Sequence, residues 1–168
     1  MPNLTIALAG NPNAGKTTIF NALTGLHQHT GNWPGKTVEK KEGEFEHSGI
    51  TINIVDLPGT YSLTAYSPEE IIARDFIIEE KPDVVINVVD ATNLERNLYL
   101  TVQLLELDVP VVMALNMTDA LHKDGAKINL DELSNFLGNI PVVHTSANHG
   151  HGVEELILKA VKAAKKIL

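Results

Sequence analysis

Short apolar runs alternate with amphipathic segments along the whole chain. Five runs are rich in β-branched residues and are bounded by glycine, proline or polar residues, which is typical of parallel strands covered on both faces. They span residues 4–9, 51–56, 83–89, 109–115 and 140–144. Residues 37–46 alternate more weakly and predict an edge strand that turns into the next strand.

The segments between these runs carry helical spacing. Helices are predicted for residues 18–24, 68–80, 94–107, 129–137 and 153–168. Asn129 is a plausible N-cap because Glu132 follows three residues later. We therefore expect one domain over residues 1–168. Its predicted fold is a three-layer α/β fold with a mostly parallel six-stranded sheet, one antiparallel edge strand and helices on both faces.

A glycine-rich loop joins the first predicted strand to the first predicted helix. Its sequence, Gly10-Asn-Pro-Asn-Ala-Gly-Lys-Thr17, fits the pattern G-x-x-x-x-G-K-[ST]. A strand, a glycine loop and a helix N-terminus together direct backbone N–H groups and the positive end of a helix dipole at a polyphosphate. The loop therefore predicts binding of a nucleoside triphosphate.

Three further motifs follow strand ends, where ligands bind in a parallel sheet. They are Asp56-Leu-Pro-Gly59, Asn116-Met-Thr-Asp119 and Thr145-Ser-Ala-Asn148. Guanine presents two adjacent donors that one carboxylate accepts together, whereas adenine presents neither. The Asp119 carboxylate therefore favours guanine, and a site of this kind can reject the wrong base by roughly 10⁴–10⁵.

These four elements in this order are the signature of a Ras-like GTPase. Closer strings, Gly31-Asn-Trp-Pro-Gly-Lys-Thr-Val-Glu39, Asp56-Leu-Pro-Gly-Thr-Tyr-Ser-Leu63 and Asp90-Ala-Thr-Asn-Leu-Glu-Arg-Asn-Leu98, resemble the G domain of FeoB, the prokaryotic ferrous iron transporter. The resemblance covers nearly the whole chain. It implies a GTPase switch that regulates Fe(II) uptake, with a helical regulatory domain and a membrane permease region as partners in the parent protein. It also implies a cytoplasmic position at the inner face of the membrane.

The resemblance also implies roles for individual residues. Lys16 would contact the β- and γ-phosphates, and Gly59 would sense the γ-phosphate. Mg²⁺ would be held by Thr17 and Thr37, and by Asp56 through water. Asn116 and Asp119 would read guanine beside the backbone of Ser146 and Ala147. The full predicted contact set for GTP or GDP comprises Gly10, Asn13, Ala14, Gly15, Lys16, Thr17, Thr18, Gly35, Lys36, Thr37, Asp56, Gly59, Asn116, Met117, Asp119, Ser146, Ala147 and Asn148.

Two absences bear on hydrolysis. Thr60 stands where Ras-like enzymes place a water-orienting glutamine, and neither arginine, Arg74 or Arg96, lies in the first switch. The resemblance offers K⁺ as the missing positive charge, held by Asn13 and by the backbone carbonyls of Gly31 and Trp33. Lys36 departs from the family pattern and would reach the phosphates in place of K⁺ or remain solvated.

Several alternatives stay open at this stage. The chain is either a GTPase or a regulatory guanine-nucleotide binder with negligible hydrolysis, while Asp119 disfavours an ATP-dependent kinase-like protein. Thr60, Glu69 and Glu70 are weaker candidates for positioning water, because both glutamates also suit a helix N-terminus. His149 and His151 form either an iron-binding loop or an exposed loop. Trp33 marks either a mobile switch or a hydrophobic anchor.

Composition narrows the partners. The net charge is −8, and a nucleic-acid surface needs clustered Lys and Arg, so nucleic acid is not an expected partner. The basic residues near the C-terminus, Lys159, Lys162, Lys165 and Lys166, fit the negative end of the last helix. There is no cysteine, no signal peptide pattern and no run of apolar residues long enough to span a bilayer, so direct membrane insertion is not expected.

Overall fold

The structure is a computed structural model, and it describes residues 3–123 and 125–164, except for the side chain of His122. Seven strands occur in these ranges, and all belong to one sheet. They are β1 (Asn3–Gly10), β2 (Gln28–Asn32), β3 (Glu39–His47), β4 (Ile50–Asp56), β5 (Val84–Asp90), β6 (Val111–Asn116) and β7 (Val142–His144).

Six α-helices occur in the same described ranges. They are α1 (Lys16–Thr24), α2 (Pro68–Asp75), α3 (Leu94–Leu105), α4 (Thr118–Lys123), α5 (Leu130–Phe136) and α6 (Val153–Ala163). A π-helical segment (Phe76–Glu80) continues α2, and short 3₁₀ turns (Ala91–Asn93 and Ala147–His149) follow β5 and β7. No helix in this part of the chain combines the length and the apolar character needed to cross a membrane.

The strand order is β2-β3-β4-β1-β5-β6-β7. Strands β4, β1, β5, β6 and β7 pair in parallel, whereas β3 runs antiparallel to both of its neighbours. The carboxyl ends of the parallel strands therefore lie along one edge of the sheet, and the loops that leave them are brought together.

Alternating side chains of the central strands supply two separate cores, as the period of a strand requires. Leu4, Ile6 and Leu8 of β1 face α1 and α6, while Ala7 and Ala9 face α2 and α3. The predicted three-layer α/β class with helices on both faces is confirmed.

The strand count and the edge of the sheet differ from the prediction. The sheet has seven strands rather than six. The edge strand is β2, and β3, the one strand that runs against the others, lies second from the edge. β2 has the sequence QHTGN and four of its five residues are exposed. A strand that covers no core has no apolar alternation, so the pattern of the sequence held no signal for it.

Helix boundaries were closer to expectation. Asn129 caps α5 as predicted, because its side chain accepts a hydrogen bond from the Glu132 N–H at 3.1 Å. The predicted helix over residues 68–80 is one continuous helical segment, but its second part is π-helical. The final helix is α6, and residues 165–168 of its predicted range, including Lys165 and Lys166, lie outside the described residues.

Candidate functional site

The loop between β1 and α1 encloses a cleft at the sheet edge. Asn13 and Gly15 adopt left-handed backbone conformations, with φ of 67° and 95°, and the Ala14 N–H donates to the Asn11 carbonyl at 3.2 Å. These turns wrap the chain around the N-terminus of α1. The cleft has a volume of about 530 Å³ and is lined by Asn11, Pro12, Asn13, Gly15, Lys16, Thr17, Thr18, Gly59 and Met117.

Lys16 and Asp56 form a buried ion pair beside this cleft. The ammonium group donates to the Asp56 carboxylate, and both residues are buried. Lys16 begins α1 and Asp56 ends β4, so the two charges reach each other from opposite walls. Because a buried charge needs a partner, each of the two charges compensates the other.

The loop after β4 packs tightly on the glycine-rich loop. The Thr60 N–H donates to the Gly10 carbonyl at 3.1 Å, and Thr60 is buried. A Cβ atom placed on Gly59 would lie 3.2 Å from the Cα of Pro12, which is closer than most real contacts. Glycine at position 59 therefore permits this close approach of the two loops.

Asn116 links three loops around the cleft. Its side-chain amide donates to the Ala14 carbonyl at 3.0 Å. Its Oδ1 atom accepts from the Thr145 hydroxyl at 3.0 Å and from the Ala147 N–H at 3.2 Å. Asn116 is 4% exposed. The glycine-rich loop, the end of β6 and the loop after β7 therefore form one buried network.

The Asp119 carboxylate lies beside this network, accepts a hydrogen bond from one side chain and lies close to a second. The Ser146 hydroxyl donates to Oδ1 at 3.2 Å, and His149 Nε2 lies 3.3 Å from Oδ2. Partial desolvation raises the pKa of Asp119. The Ser146 hydroxyl, backbone N–H groups and the His149 charge together lower it by more, so the pKa lies below the ordinary 3.8. Asp119 is therefore an acceptor at neutral pH.

The segment predicted as the first switch, Gly31–Glu39, lies apart from the cleft. Trp33 is buried, packs edge-on against Phe76 with ring centroids 5.7 Å apart, and carries the Lys40 ammonium 4.8 Å from its ring centroid. Of the predicted site residues in this segment, Gly31 and Gly35 through Thr37 are exposed, and none of Gly31, Trp33, Gly35, Lys36 and Thr37 lines the cleft. Trp33 is thus a hydrophobic anchor.

The segment predicted as the second switch, Leu57–Tyr66, is held by hydrogen bonds and a ring contact. Glu70 accepts hydrogen bonds from Ser62, Thr64 and Ser67, at 2.7 to 3.2 Å. The hydrogen bonds from Thr64 and Ser62 lower the pKa of Glu70 below 4.5, although desolvation opposes them. Arg96 stacks on Tyr61 at 4.1 Å from the ring centroid. Glu70 thus organises the loop. Neither Arg74, which pairs with Asp75, nor Arg96 lines the cleft.

Three residues make contacts at the site that the sequence did not predict, although Thr145 was recognised as part of a motif and His149 as part of a candidate iron-binding loop. Asn11 is 4% exposed and has no hydrogen-bond partner for either side-chain atom. Thr145 orients Asn116, and His149 contacts Asp119. Asn11 and Thr145 belong to motifs that were recognised. A sequence motif does not specify which of its variable residues points into the protein, because that depends on the geometry of the folded loop.

The remaining predicted site residues lie in the loops after β6 and β7. Met117 has a left-handed φ of 63°, and Asn148 lies in the 3₁₀ turn that also holds Ala147. The backbone N–H groups of Ser146 and Ala147 already have partners within the protein, His151 and Asn116. Among the described side chains, no group of three or more His, Asp or Glu residues is placed to hold a metal ion, and this includes His149 and His151.

Comparison with known proteins identifies the family. The family model of ferrous iron transport protein B matches residues 4–160. The chain is 55% identical to an Fe(2+) transport protein A/Fe(2+) transporter FeoB fusion protein of Porphyromonas gingivalis, over 91% of this chain and 18% of that protein. It is 54% identical to the Fe(2+) transporter FeoB of Salmonella typhimurium, over 94% of this chain and 21% of that protein.

Solved structures agree with this assignment. The FeoB G domain of Methanococcus jannaschii is 52% identical, with a TM-score of 0.87, and the match covers 99% of this chain and all of that one. The cytosolic domain of the T. maritima FeoB iron transporter in a GDP form is 51% identical, with a TM-score of 0.94 over 98% of this chain and 65% of that one. The chain spans about a fifth of the curated relatives it matches. It belongs to the ferrous iron transport protein B family and has the fold of that family's G domain.

Proposed function

We propose that residues 1–168 form a single guanine-nucleotide switch domain that binds and hydrolyses GTP for a ferrous iron transporter. The observation that carries this proposal is the buried Asn116 network, which joins the phosphate-binding loop to the base-reading loop. A phosphate cleft and an ionised Asp119 carboxylate at the two ends of that network suit a guanine nucleotide. Relatives solved with GDP support the same ligand class.

Phosphate binding follows from the chain's own groups. Lys16 supplies charge to the β- and γ-phosphates, and the N-terminus of α1 supplies backbone N–H groups. The Lys16–Asp56 pair separates when phosphate reaches the ammonium, because phosphate oxygens replace the carboxylate as its partner. Gly59 senses the γ-phosphate through its backbone, since its missing side chain lets this loop approach the cleft.

The donors for Mg²⁺ fit that ion. Thr17 lines the cleft, and Asp56 lies beside it at the end of β4, so both provide the hard oxygen donors that Mg²⁺ prefers. When bound, Mg²⁺ neutralises charge between the β- and γ-phosphates. Thr37 joins these donors only after the first switch moves toward the cleft, because in this structure it lies outside the cleft lining.

The donors for K⁺ are only partly assembled. Asn13 lines the cleft, whereas Gly31 and Trp33 do not. K⁺ stimulation therefore requires the first switch to leave its anchor on Phe76 and bring its carbonyl groups to Asn13. A cation at that position supplies the charge that an arginine would supply. Lys36 approaches the phosphates by the same motion or stays in solvent.

The experiment is multiple-turnover phosphate release from GTP in K⁺ and in Na⁺ at matched ionic strength, with Mg²⁺ constant and ATP as the competing nucleotide. We expect slow release that K⁺ accelerates about ten-fold or more, and Asn13→Ala to remove the stimulation. Asn135→Ala on α5 is the matched control, because Asn135 is exposed and lies outside the cleft lining. Equal turnover in both salts contradicts the K⁺ assignment.

A second function is favoured by two observations. The Thr60 N–H is already bonded to the Gly10 carbonyl, and no arginine lines the cleft. On this reading the domain is a regulatory binder whose nucleotide state sets its affinity for the transporter's helical and membrane regions. Tight GTP and GDP binding with no phosphate release above buffer would establish it. Tight ATP binding with GTP excluded would contradict both functions.

The parent context completes the proposal. The domain regulates Fe(II) uptake from the cytoplasmic side of the membrane, as part of a longer transporter. The relatives are iron transporters several times longer than this chain, which supports that assignment.

A further inference from the structure

The Asp119 carboxylate has a competitor for its ligand within its own chain. His149 Nε2 lies 3.3 Å from Oδ2, and the Ser146 hydroxyl donates to Oδ1. Ser146 therefore donates to one carboxylate oxygen and the His149 ring lies against the other without any nucleotide. Guanine needs both oxygens as well, because its N1–H and its amino group donate side by side.

The two donors differ in how firmly they are held. Ser146 is buried and also contacts the Thr118 hydroxyl at 3.4 Å. The His149 side chain is 65% exposed, and within the described part of the chain it pairs with Asp119. A base that enters the site can therefore displace His149 into solvent at little packing cost, whereas Ser146 stays beside Asp119.

The loop geometry keeps His149 at this position. The 3₁₀ turn that ends at His149 is closed by its N–H, which donates to the Ser146 carbonyl at 2.9 Å, and Ser146 pairs with His151 across the turn. Gly150 and Gly152 take left-handed conformations, with φ of 69° and 79°. Held by this small closed loop, the imidazole meets the carboxylate at a low entropic cost.

We propose that His149 sets the nucleotide affinity of the domain by competing with guanine for Asp119. The inference rests on the proposed guanine-binding function of the same site. His149 competes most strongly when protonated, because a charged donor makes the stronger bond to a carboxylate. Nucleotide affinity therefore falls when the pH is lowered enough to protonate His149.

Other charged groups near this loop do not reproduce that dependence. Lys16 in α1 is paired with Asp56, and lysines and glutamates keep their charge between pH about 6 and about 8. His151 is the same type of residue and belongs to the same loop, so it is the natural control. The charged residues of the described elements that contact or adjoin the loop are Lys16, Asp119, Lys123, His151, Glu154 and Glu155.

The test is calorimetric titration of the full chain with GDP at pH about 6 and about 8, with Mg²⁺ constant. Wild type is compared with His149→Ala, His149→Gln and the control His151→Ala. We expect His149→Ala to bind GDP about five-fold more tightly than wild type at the lower pH and less than about two-fold more tightly at the higher. The ratio of the wild-type and His149→Ala affinities at each pH is independent of the titration of the GDP phosphate, because the same GDP binds to both proteins.

The other variants sharpen the result. His149→Gln stays neutral, so its affinity ratio to His149→Ala must not change with pH, and His151→Ala must behave as wild type. Equal affinity of wild type and His149→Ala at both pH values overturns the inference while leaving guanine binding intact. An effect of His151→Ala as large as that of His149→Ala also overturns it. A wild type that binds no GDP at the higher pH contradicts the proposed function instead.

Discussion

The base side of the cleft and the first switch are built in opposite ways. Around Asn116, three loops share buried hydrogen bonds, and the residues that would meet the nucleotide already contact one another. The first switch has one buried anchor, Trp33, and its other predicted ligand residues are exposed. The base side is therefore preorganised, while the switch is held by a contact that a ligand can replace.

The comparison predicts its largest effect at Asn116. Asn116→Ala leaves the Ala14 carbonyl, the Thr145 hydroxyl and the Ala147 N–H without their partner in a buried site. We expect a loss of about 3 kcal/mol in the free energy of unfolding, measured by urea denaturation, and a loss of at least about 100-fold in GDP affinity. Asn135→Ala, at an exposed position of α5 outside the cleft lining, is the control. A stable Asn116→Ala with intact affinity would show that the loops hold together without it.

A matched glycine pair tests rigidity on both sides. Gly15 and Gly35 both have positive φ, but a Cβ at Gly15 would lie 2.0 Å from the Asn116 amide nitrogen, whereas one at Gly35 meets no atom within 4 Å. We expect Gly15→Ala to cost at least about 2 kcal/mol and Gly35→Ala about 1 kcal/mol in unfolding free energy. Equal losses of unfolding free energy in the two variants would show that the glycine-rich loop accommodates a Cβ atom as easily as the first switch does.

Trp33→Phe weakens the anchor of the switch. The phenyl ring keeps part of the contact with Phe76 but fills less of the core. We expect a loss of about 1 kcal/mol in global stability by urea denaturation, together with faster trypsin cleavage after the exposed Lys36. Tyr99→Phe, at an exposed position of α3, serves as the control. Unchanged cleavage of Trp33→Phe would show that another contact holds the switch.

The smallest expected effect is at Glu70, which orders the second switch. Its folded-state pKa is lowered, so its stabilisation is fully present above its ordinary pKa of 4.5 and is lost as pH falls through the lower, folded-state value. We expect Glu70→Gln to reduce stability by about 0.5 kcal/mol at neutral pH, with a smaller difference from wild type in acid. Glu69→Gln is the matched control. A difference that persists unchanged in acid would assign the loss to packing rather than charge.

The sequence predicted the base side of the cleft better than the first switch. The strand before Gly10 and the order of the motifs after β4, β6 and β7 followed from apolar runs and strand ends. β2 escaped prediction because a polar edge strand buries nothing. Thr145 and His149 escaped because their contacts join loops from different strands, and a local pattern contains no information about such pairs. The position of the first switch depends on ligands that no pattern includes.

The Asn116–Ala14 hydrogen bond joins residues 102 positions apart. Contacts of such separation form late in folding, because the intervening chain must be ordered first. During synthesis, Ala14 of the phosphate-binding loop emerges 102 residues before its partner Asn116, and Thr145 emerges later still. We therefore expect a ribosome-bound chain to acquire nucleotide only after β7 is made. Occupancy of the cleft then reports that the whole sheet has assembled.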